Sequence, residues 1–528
     1  MRSGRGPRRP TYRSIAAAVF GLIALVATGA PALAAPGASG GRTYYVDCAA
    51  GKDSSAGTTT GTAWRTLGRV NTATFKPGDS ILLRRGTSCA GTLAPQGSGT
   101  SAAPIVVGAY GSGARPAINA AGARAAVYLH NVQGWEIRHL DVSDPVTSDG
   151  NPRTGIYVLL EDYGTGGHYV VDDVTVHDVT GCDCTDPEIE PSGGVVFRAA
   201  GSAVPTGFDG IQVSHSAVSR VHGFGIGTTS RWSRRPQHPD GVGPFVPMSH
   251  VDVAGNRLQD LGGSGIVVQN GVDPLIERND VDGFSRDETT AHSGIYAWNS
   301  DGAVEQYNRV TNGDATPFAP AYSIEAASSR SLLQYNYSSD NHGGFVYICG
   351  DAGNPIDGAT VRYNISQNDR NVALGSLIIP LISVCPGSVD SNVTFYNNVV
   401  YSDVADNTSL INIFFGDAPH VFKNNIFVGG ASGLTINDSA GVYDHNLYDG
   451  IGSVPSGATN SVTAKPLFKR PGQGPDGYRL ACGSPAFRAG VAIPDAGDRD
   501  FYGFRLQADQ PPNIGSYQGP ACADGHHR

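Results

Sequence analysis

The chain has 528 residues, 16% of them charged, with a formal net charge of −10, 71 glycines and eight cysteines. An acidic balance with no basic cluster beyond the first residues excludes a nucleic-acid partner. High glycine content with few charges suits an all-β, turn-rich protein rather than a helical one.

In chain order, Arg2, Arg5, Arg8, Arg9 and Arg13 precede the apolar run Ile15 to Thr28, and Ala32-Leu33-Ala34 offers small residues for cleavage. Residues 1–35 therefore read as a secretory signal, and the apolar run is short for a membrane span. Its removal, with those five arginines, takes the formal charge from −10 to −15. The expected product is a secreted, extracellular monomer with no membrane span, and its eight cysteines fit an oxidising compartment.

Residues 36–103 read as an N-terminal cap. Thr43 to Asp47 is a strand, Ala63 to Asn71 has the Trp64, Leu67, Val70 spacing of a short amphipathic helix, and Lys76-Pro77-Gly78-Asp79 turns into a strand at Ser80 to Arg84. Short strand-like runs broken by Gly, Asn or Pro then fill 104–449. Two long insertions interrupt them, Gly181 to Gly207 and Thr228 to Pro247, the latter holding Trp232, Arg234, Arg235, His238 and Asp240. Loops of that length inside a compact repeat are usually functional or disordered. Residues 450–528 form a loop-rich closing segment.

The middle of the chain repeats. Gln306-Tyr307-Asn308, Gln334-Tyr335-Asn336 and Arg362-Tyr363-Asn364 recur every 28 residues, and Phe395-Tyr396-Asn397 follows 33 residues later. Such a period means stacked units that cannot bury their apolar faces alone. With β-rich composition and no helical periodicity, the units predict a single-stranded right-handed parallel β-helix capped by a helix at one end and loops at the other. Asn256, Asn279, Asn308, Asn336, Asn364, Asn397, Asn424 and Asn446 read as a structural ladder, because Asn tolerates the left-handed conformation and bonds from coil to coil.

After each Tyr comes a polar triplet: Asn312-Gly313-Asp314, Asp340-Asn341-His342, Asn368-Asp369-Arg370. Stacked about 4.8 Å apart, these predict a column holding Asp314, Asp340 and Asp369. Glu325 stands outward beside it if Ile324 points inward. Glycosidic hydrolysis needs two carboxyls about 5–5.5 Å or about 6.5–9.5 Å apart, which one or two coils would supply. The expected catalytic group is Glu325, Asp340 and Asp369. His342, Arg370, Asn341, Asn368, Asp314 and Asp351 would bind substrate, with Tyr296, Trp298, Tyr347, His292 and Trp232 lining the groove, and Asp287 and Glu288 on the loop before it. Each turn Asp or Asn has the alternative of capping its own corner. Stacked strands also predict a Cys349–Cys385 disulfide; Cys48–Cys89 and Cys482–Cys522 follow from chain order. Cys182-Asp183-Cys184 lacks the second ligand pair of a zinc site.

Tyr44-Tyr45-Val46-Asp47, Trp64-Arg65-Thr66-Leu67, Pro77-Gly78-Asp79-Ser80-Ile81, Gln334 to Phe345, Val361 to Asp369, Ser484-Pro485-Ala486 and Asn513 to Tyr517 resemble the pectate-lyase-like superfamily of right-handed parallel β-helix proteins, of the type actinobacteria secrete. The resemblance spans nearly the whole mature chain and implies an extracellular polysaccharide or oligosaccharide bound in a groove along one sheet. It does not choose among hydrolases, lyases, epimerases and adhesins. The carboxylates favour a glycoside hydrolase needing no cofactor. A polysaccharide lyase would need Arg370 or His342 with Ca2+ at a uronate. A non-catalytic glycan-binding protein would leave the acids dispersed. No metal ligand is assigned.

Overall fold

The computed structural model describes residues 40–147, 149–182, 191–286, 290–314, 317–375, 377–413, 419–430, 433–507 and 509–521. Residues 1–35, expected as a signal segment, and Asp287, Glu288, Cys184 and Cys522 lie outside them.

Among the described residues, nearly every strand belongs to one of three parallel sheets of 15, 14 and 11 strands. The chain is a right-handed parallel β-helix, as its repeats predict. One coil shows the construction. Ser329–Gln334 lies in the first sheet, Tyr337–Ser339 in the second and Val346–Cys349 in the third, before Ile356–Arg362 returns to the first. The next coil stacks in register, Gln334 on Arg362 and Ser338 on Ser366.

Alternation sends one side chain of each pair inward. In the first sheet Leu333, Val361, Phe395, Phe422 and Tyr443 form one inward column, its last three rings stacked at 4.7 Å between centroids. Each such side chain contributes about 1.5–3 kcal/mol through burial.

The corner between the first and second sheets explains the Tyr-Asn repeat. Tyr307, Tyr335 and Tyr363 all have φ between 51° and 58°. The Asn that follows each is buried, and its side chain bonds to the next coil: Asn308 N and Nδ2 donate to Asn336 Oδ1 at 2.8 and 3.1 Å. The ladder runs through Asn256, Asn279, Asn308, Asn336, Asn364, Asn398, Asn425 and Asn446. Asn397 and Asn424, expected as rungs, take the left-handed position instead, with φ of 56° and 54°. Both lie in Asn-Asn pairs, and the second Asn of each pair is the rung.

At the N-terminal end the helix is shorter than expected, Leu67–Asn71, because the Thr66 side chain accepts from Arg69 N and caps it there. Cys48–Cys89 and Cys349–Cys385 are formed, with Cα separations of 5.4 and 5.0 Å. Cys182 is disulfide-bonded, which removes it as a metal ligand. Cys482 is also disulfide-bonded; its expected partner Cys522 lies outside the described residues. The closing segment runs back along the helix. Tyr478, Leu480, Ala486, Ile514 and Tyr517 pack with Tyr337, Ile365, Val399, Ile426 and Leu447 in a second apolar cluster. No helix among the described residues is long and apolar enough to cross a membrane.

Candidate active site

The outer face of the third sheet carries the site. Its strands Ile266–Gln269, Ile295–Trp298, Tyr322–Glu325, Val346–Cys349 and Ile382–Val384 stack in that order. Ile324 belongs to the core, so Glu325 points outward, as expected. Register places Tyr296, Ser323 and Tyr347 in one outward column. Glu325 aligns with Cys349, and Trp298 occupies the equivalent place one strand earlier.

The face is open over only part of its length. Val267 and Gln269 are each 2% exposed at one side, and Ser383 and Asn412 are 3% and 6% exposed at the other. Between them Tyr296, Trp298, Glu325, Tyr347 and Cys349 are partly exposed. Three strands at their ordinary spacing give a floor roughly 10 Å across. That is room for one or two sugar rings, where the family resemblance implies a groove along one sheet.

Polar side chains in this floor are tied to one another. Ser323 is fully buried, its hydroxyl 2.5 Å from that of Ser293, and it donates to the Glu325 carboxyl. Burial outweighs that bond and pushes the Glu325 pKa up to about 7. The negative charge of Glu325 reaches Tyr296 and Tyr347, whose hydroxyls burial already raises, Tyr347 to about 12. His292 is 4% exposed, its Nδ1 3.1 Å from Ser264 Oγ and Nε2 3.0 Å from Thr290 Oγ1. It supports Tyr296, to which Ser264 is also bonded.

Loops form the walls. Phe318 meets Tyr347 edge-on at 5.4 Å. His238, from the insertion after Thr228, meets Trp298 edge-on at 5.5 Å and bonds to Asn354. Asp351, two residues beyond the register partner of Glu325, accepts from Gly353 N, Asn354 N and Asn354 Nδ2 at 2.7–2.9 Å. The Asn354 side chain and these amides hold its carboxyl below the usual range. Glu325 is thus a carboxyl poised near neutrality on the floor, and Asp351, in the loop after the neighbouring strand, is one kept ionised. His238, Phe318, Ser323 and Asn354 carried no sequence signal of their own beyond the length of the insertion.

The expected aspartate column does not form. Its three triplets stack residue on residue, so Asp340, Asp369 and Asp314 occupy three different columns. Asp340, like Asn312 and Asn368, sits at the left-handed corner with φ near 60°. Ser339 Oγ donates to it at 2.5 Å and Arg370 pairs with it at 3.5 Å. Asp369 has no exposed surface. Its Oδ1 accepts from Asn341 N and Nδ2 at 3.0 and 2.8 Å, and its Oδ2 from Ser338 and Ser366 at 2.5 and 2.6 Å. Asn341 Oδ1 in turn accepts from Gly313 N. Gly313, Asn341 and Asp369 are thus a second ladder, and burial lifts the Asp369 carboxyl to about 6.

Asp314, His342 and Arg370 line the outside of that corner; burial and Arg370 lower the His342 pKa. This group precedes the strands of the third sheet, whereas Glu325 ends one, about 10 Å further along. The structure therefore does not unite Glu325 with Asp340 or Asp369. Trp232 does not close over the groove either. It is 4% exposed, and its Nε1 donates to Ala200 O at 2.9 Å, rooting the insertion. Among the described residues no group of His, Cys, Asp or Glu is arranged to hold a metal ion.

No family model matches the chain. A lacto-N-biosidase of Bifidobacterium longum subsp. longum is 26% identical over 91% of this chain, and the chain spans 36% of that protein's length. A GH136 lacto-N-biosidase of Eubacterium ramulus has the same fold, with TM-score 0.61 and 23% identity over 72% of this chain and 67% of that one. XylC, solved with xylose, superimposes with TM-score 0.51 and 10% identity over 91% and 99% of the two chains. The two structural likenesses, at 23% and 10% identity, bear on the fold alone.

Proposed function

We propose that the protein is a secreted glycoside hydrolase that takes the end of an oligosaccharide into the third-sheet pocket, and that the lacto-N-biosidase activity of its relative marks the first substrate class to test. The observation that carries this reading is Glu325, a carboxyl raised to about 7 on the floor of an aromatic-walled opening. Glu325 is the general acid that protonates the leaving oxygen. Asp351 supplies the ionised carboxylate, and Trp298, Tyr296 and Tyr347 hold sugar rings. Two carboxyls pushed apart in pKa by their surroundings are the arrangement such chemistry needs. No step calls for a cofactor.

The test is hydrolysis of p-nitrophenyl glycosides of lacto-N-biose, N-acetylglucosamine, galactose and xylose, and of the matching oligosaccharides. Glu325→Gln should slow oligosaccharide cleavage by about 10²–10⁴. It should slow p-nitrophenyl substrates far less, because their leaving group needs no proton. Equal losses on both would remove Glu325 from the acid role. Absorbance near 235 nm on uronate polymers would instead identify a lyase.

A further inference from the structure

The insertion Arg231–Pro247 is bound to the floor of the pocket by contacts far apart in sequence. Arg235, its side chain only 8% exposed, donates to Asn299 Oδ1 and Asp301 Oδ2, both at 2.7 Å, and to Ala327 O. Asn299 Nδ2 returns a bond to Ser233 O at 2.9 Å. Asn299 follows Trp298, and Ala327 lies two residues beyond Glu325, so one guanidinium grips the ends of both strands that carry the site. The same insertion then brings His238 against Trp298 and places Asp240 opposite Asp351. A Cβ added at Gly353 would lie 3.3 Å from Asp351 Oδ1 and 3.8 Å from Asp240 Oδ2, so the two carboxylates flank one point.

We infer that this insertion is the sugar-selecting wall of the pocket. His238 and Trp298 form a right-angled corner, 83° between ring planes, that receives the apolar face of a pyranose ring. Asp240, across from the Asp351 carboxylate, accepts hydrogen bonds from its hydroxyls, and Arg235 is the positioning residue that fixes the wall. The corner suits a neutral sugar. Two carboxylates repel a uronate or sulfate, and the buried cation of the wall, Arg235, is already paired with Asp301 at 2.7 Å. This inference rests on the pocket of the proposed function but concerns binding, which is measurable without turnover.

The experiment is calorimetric titration of N-acetylglucosamine, galactose, xylose and glucuronate into the full chain, with p-nitrophenyl glycoside kinetics run in parallel. At least one neutral sugar should bind and glucuronate should not. His238→Ala and Trp298→Ala should each weaken the bound sugar tenfold or more, and Gly353→Ala severalfold by filling the gap between the carboxylates. Arg235→Ala and Arg235→Lys should both raise KM at least tenfold, with kcat changed less than threefold, because lysine lacks the fork that reaches three partners. Loss of binding in these variants without hydrolysis in the wild type would sink the catalytic reading and keep the wall. Hydrolysis lost in Glu325→Gln, with sugar binding unchanged in His238→Ala and Gly353→Ala, would sink the wall alone. A wild type that binds none of the neutral sugars would overturn it outright.

Discussion

At the scale of single residues, the decisive contrast is between two acids raised by the same cause, one fully buried and one partly exposed. Asp369 has four donors and no access to solvent, whereas Glu325 has one internal donor and an open side. Asp369→Asn should therefore keep activity within about twofold, since an amide oxygen still accepts from Asn341, and Asp340→Asn should do the same. Asp351→Asn should cost about 10²-fold or more in kcat, as loss of a charged partner in acid–base chemistry does. A full loss in Asp369→Asn with an unchanged melting curve would restore it to the catalytic group. Because Glu325 must be protonated to act, kcat/KM should fall as pH rises through about 7. Glu325→Gln should abolish that limb, and a profile flat from pH 5 to 9 would refute the assignment.

At the scale of the coil, the repeat was readable because it is local. A Tyr in the left-handed position followed by a buried Asn recurs every 28 residues, and that pattern alone places the corner. The acids fall out of one column because the three residues of each triplet occupy three distinct columns. A shift of one residue separates an outward corner from an interior rung, as Asp340 and Asp369 do. The site walls were illegible for a different reason. Arg235 reaches partners 64, 66 and 92 residues away, and no periodicity announces such contacts. The ladder makes its own prediction. Asn336 accepts from Asn308 and donates to Asn364 Oδ1 and to Glu305 O. Asn336→Ala strands buried groups on both neighbouring coils and should cost roughly 3 kcal/mol in urea unfolding. A loss below about 0.5 kcal/mol would mean that the backbone ladder alone holds the corner.

At the scale of the whole molecule, buried acids set the pH range of stability. Asp369 rises to about 6 and Glu325 to about 7, while Glu305, facing the core with Oε2 unpartnered, is raised well above its ordinary value. A raised folded pKa means the native state holds the proton more tightly than the unfolded chain. Stability from these groups is therefore present below the unfolded pKa of about 4 and is lost as pH climbs through the folded values. For Asp369 the shift of about two units corresponds to the order of 3 kcal/mol lost between about pH 4 and pH 6. Net negative charge works in the same direction, because self-repulsion grows as more carboxyls ionise. Asp178, held at about 2 by Arg220, acts oppositely, as do the other aspartates held low by their hydrogen bonds, among them Asp47, Asp162, Asp351 and Asp357, and their contributions are lost only as pH falls below about 4. The balance puts maximal stability near pH 4–5, below the usual range for globular proteins. Glu305→Gln preserves the shape of the core and keeps an acceptor for the Ala297 backbone while removing the charge. Its melting temperature should equal that of the wild type near pH 5 and exceed it increasingly toward pH 9. A wild-type melting temperature that rises from pH 5 to pH 8, or a Glu305→Gln variant that tracks the wild type throughout, would show that the core carboxyl does not govern alkaline stability.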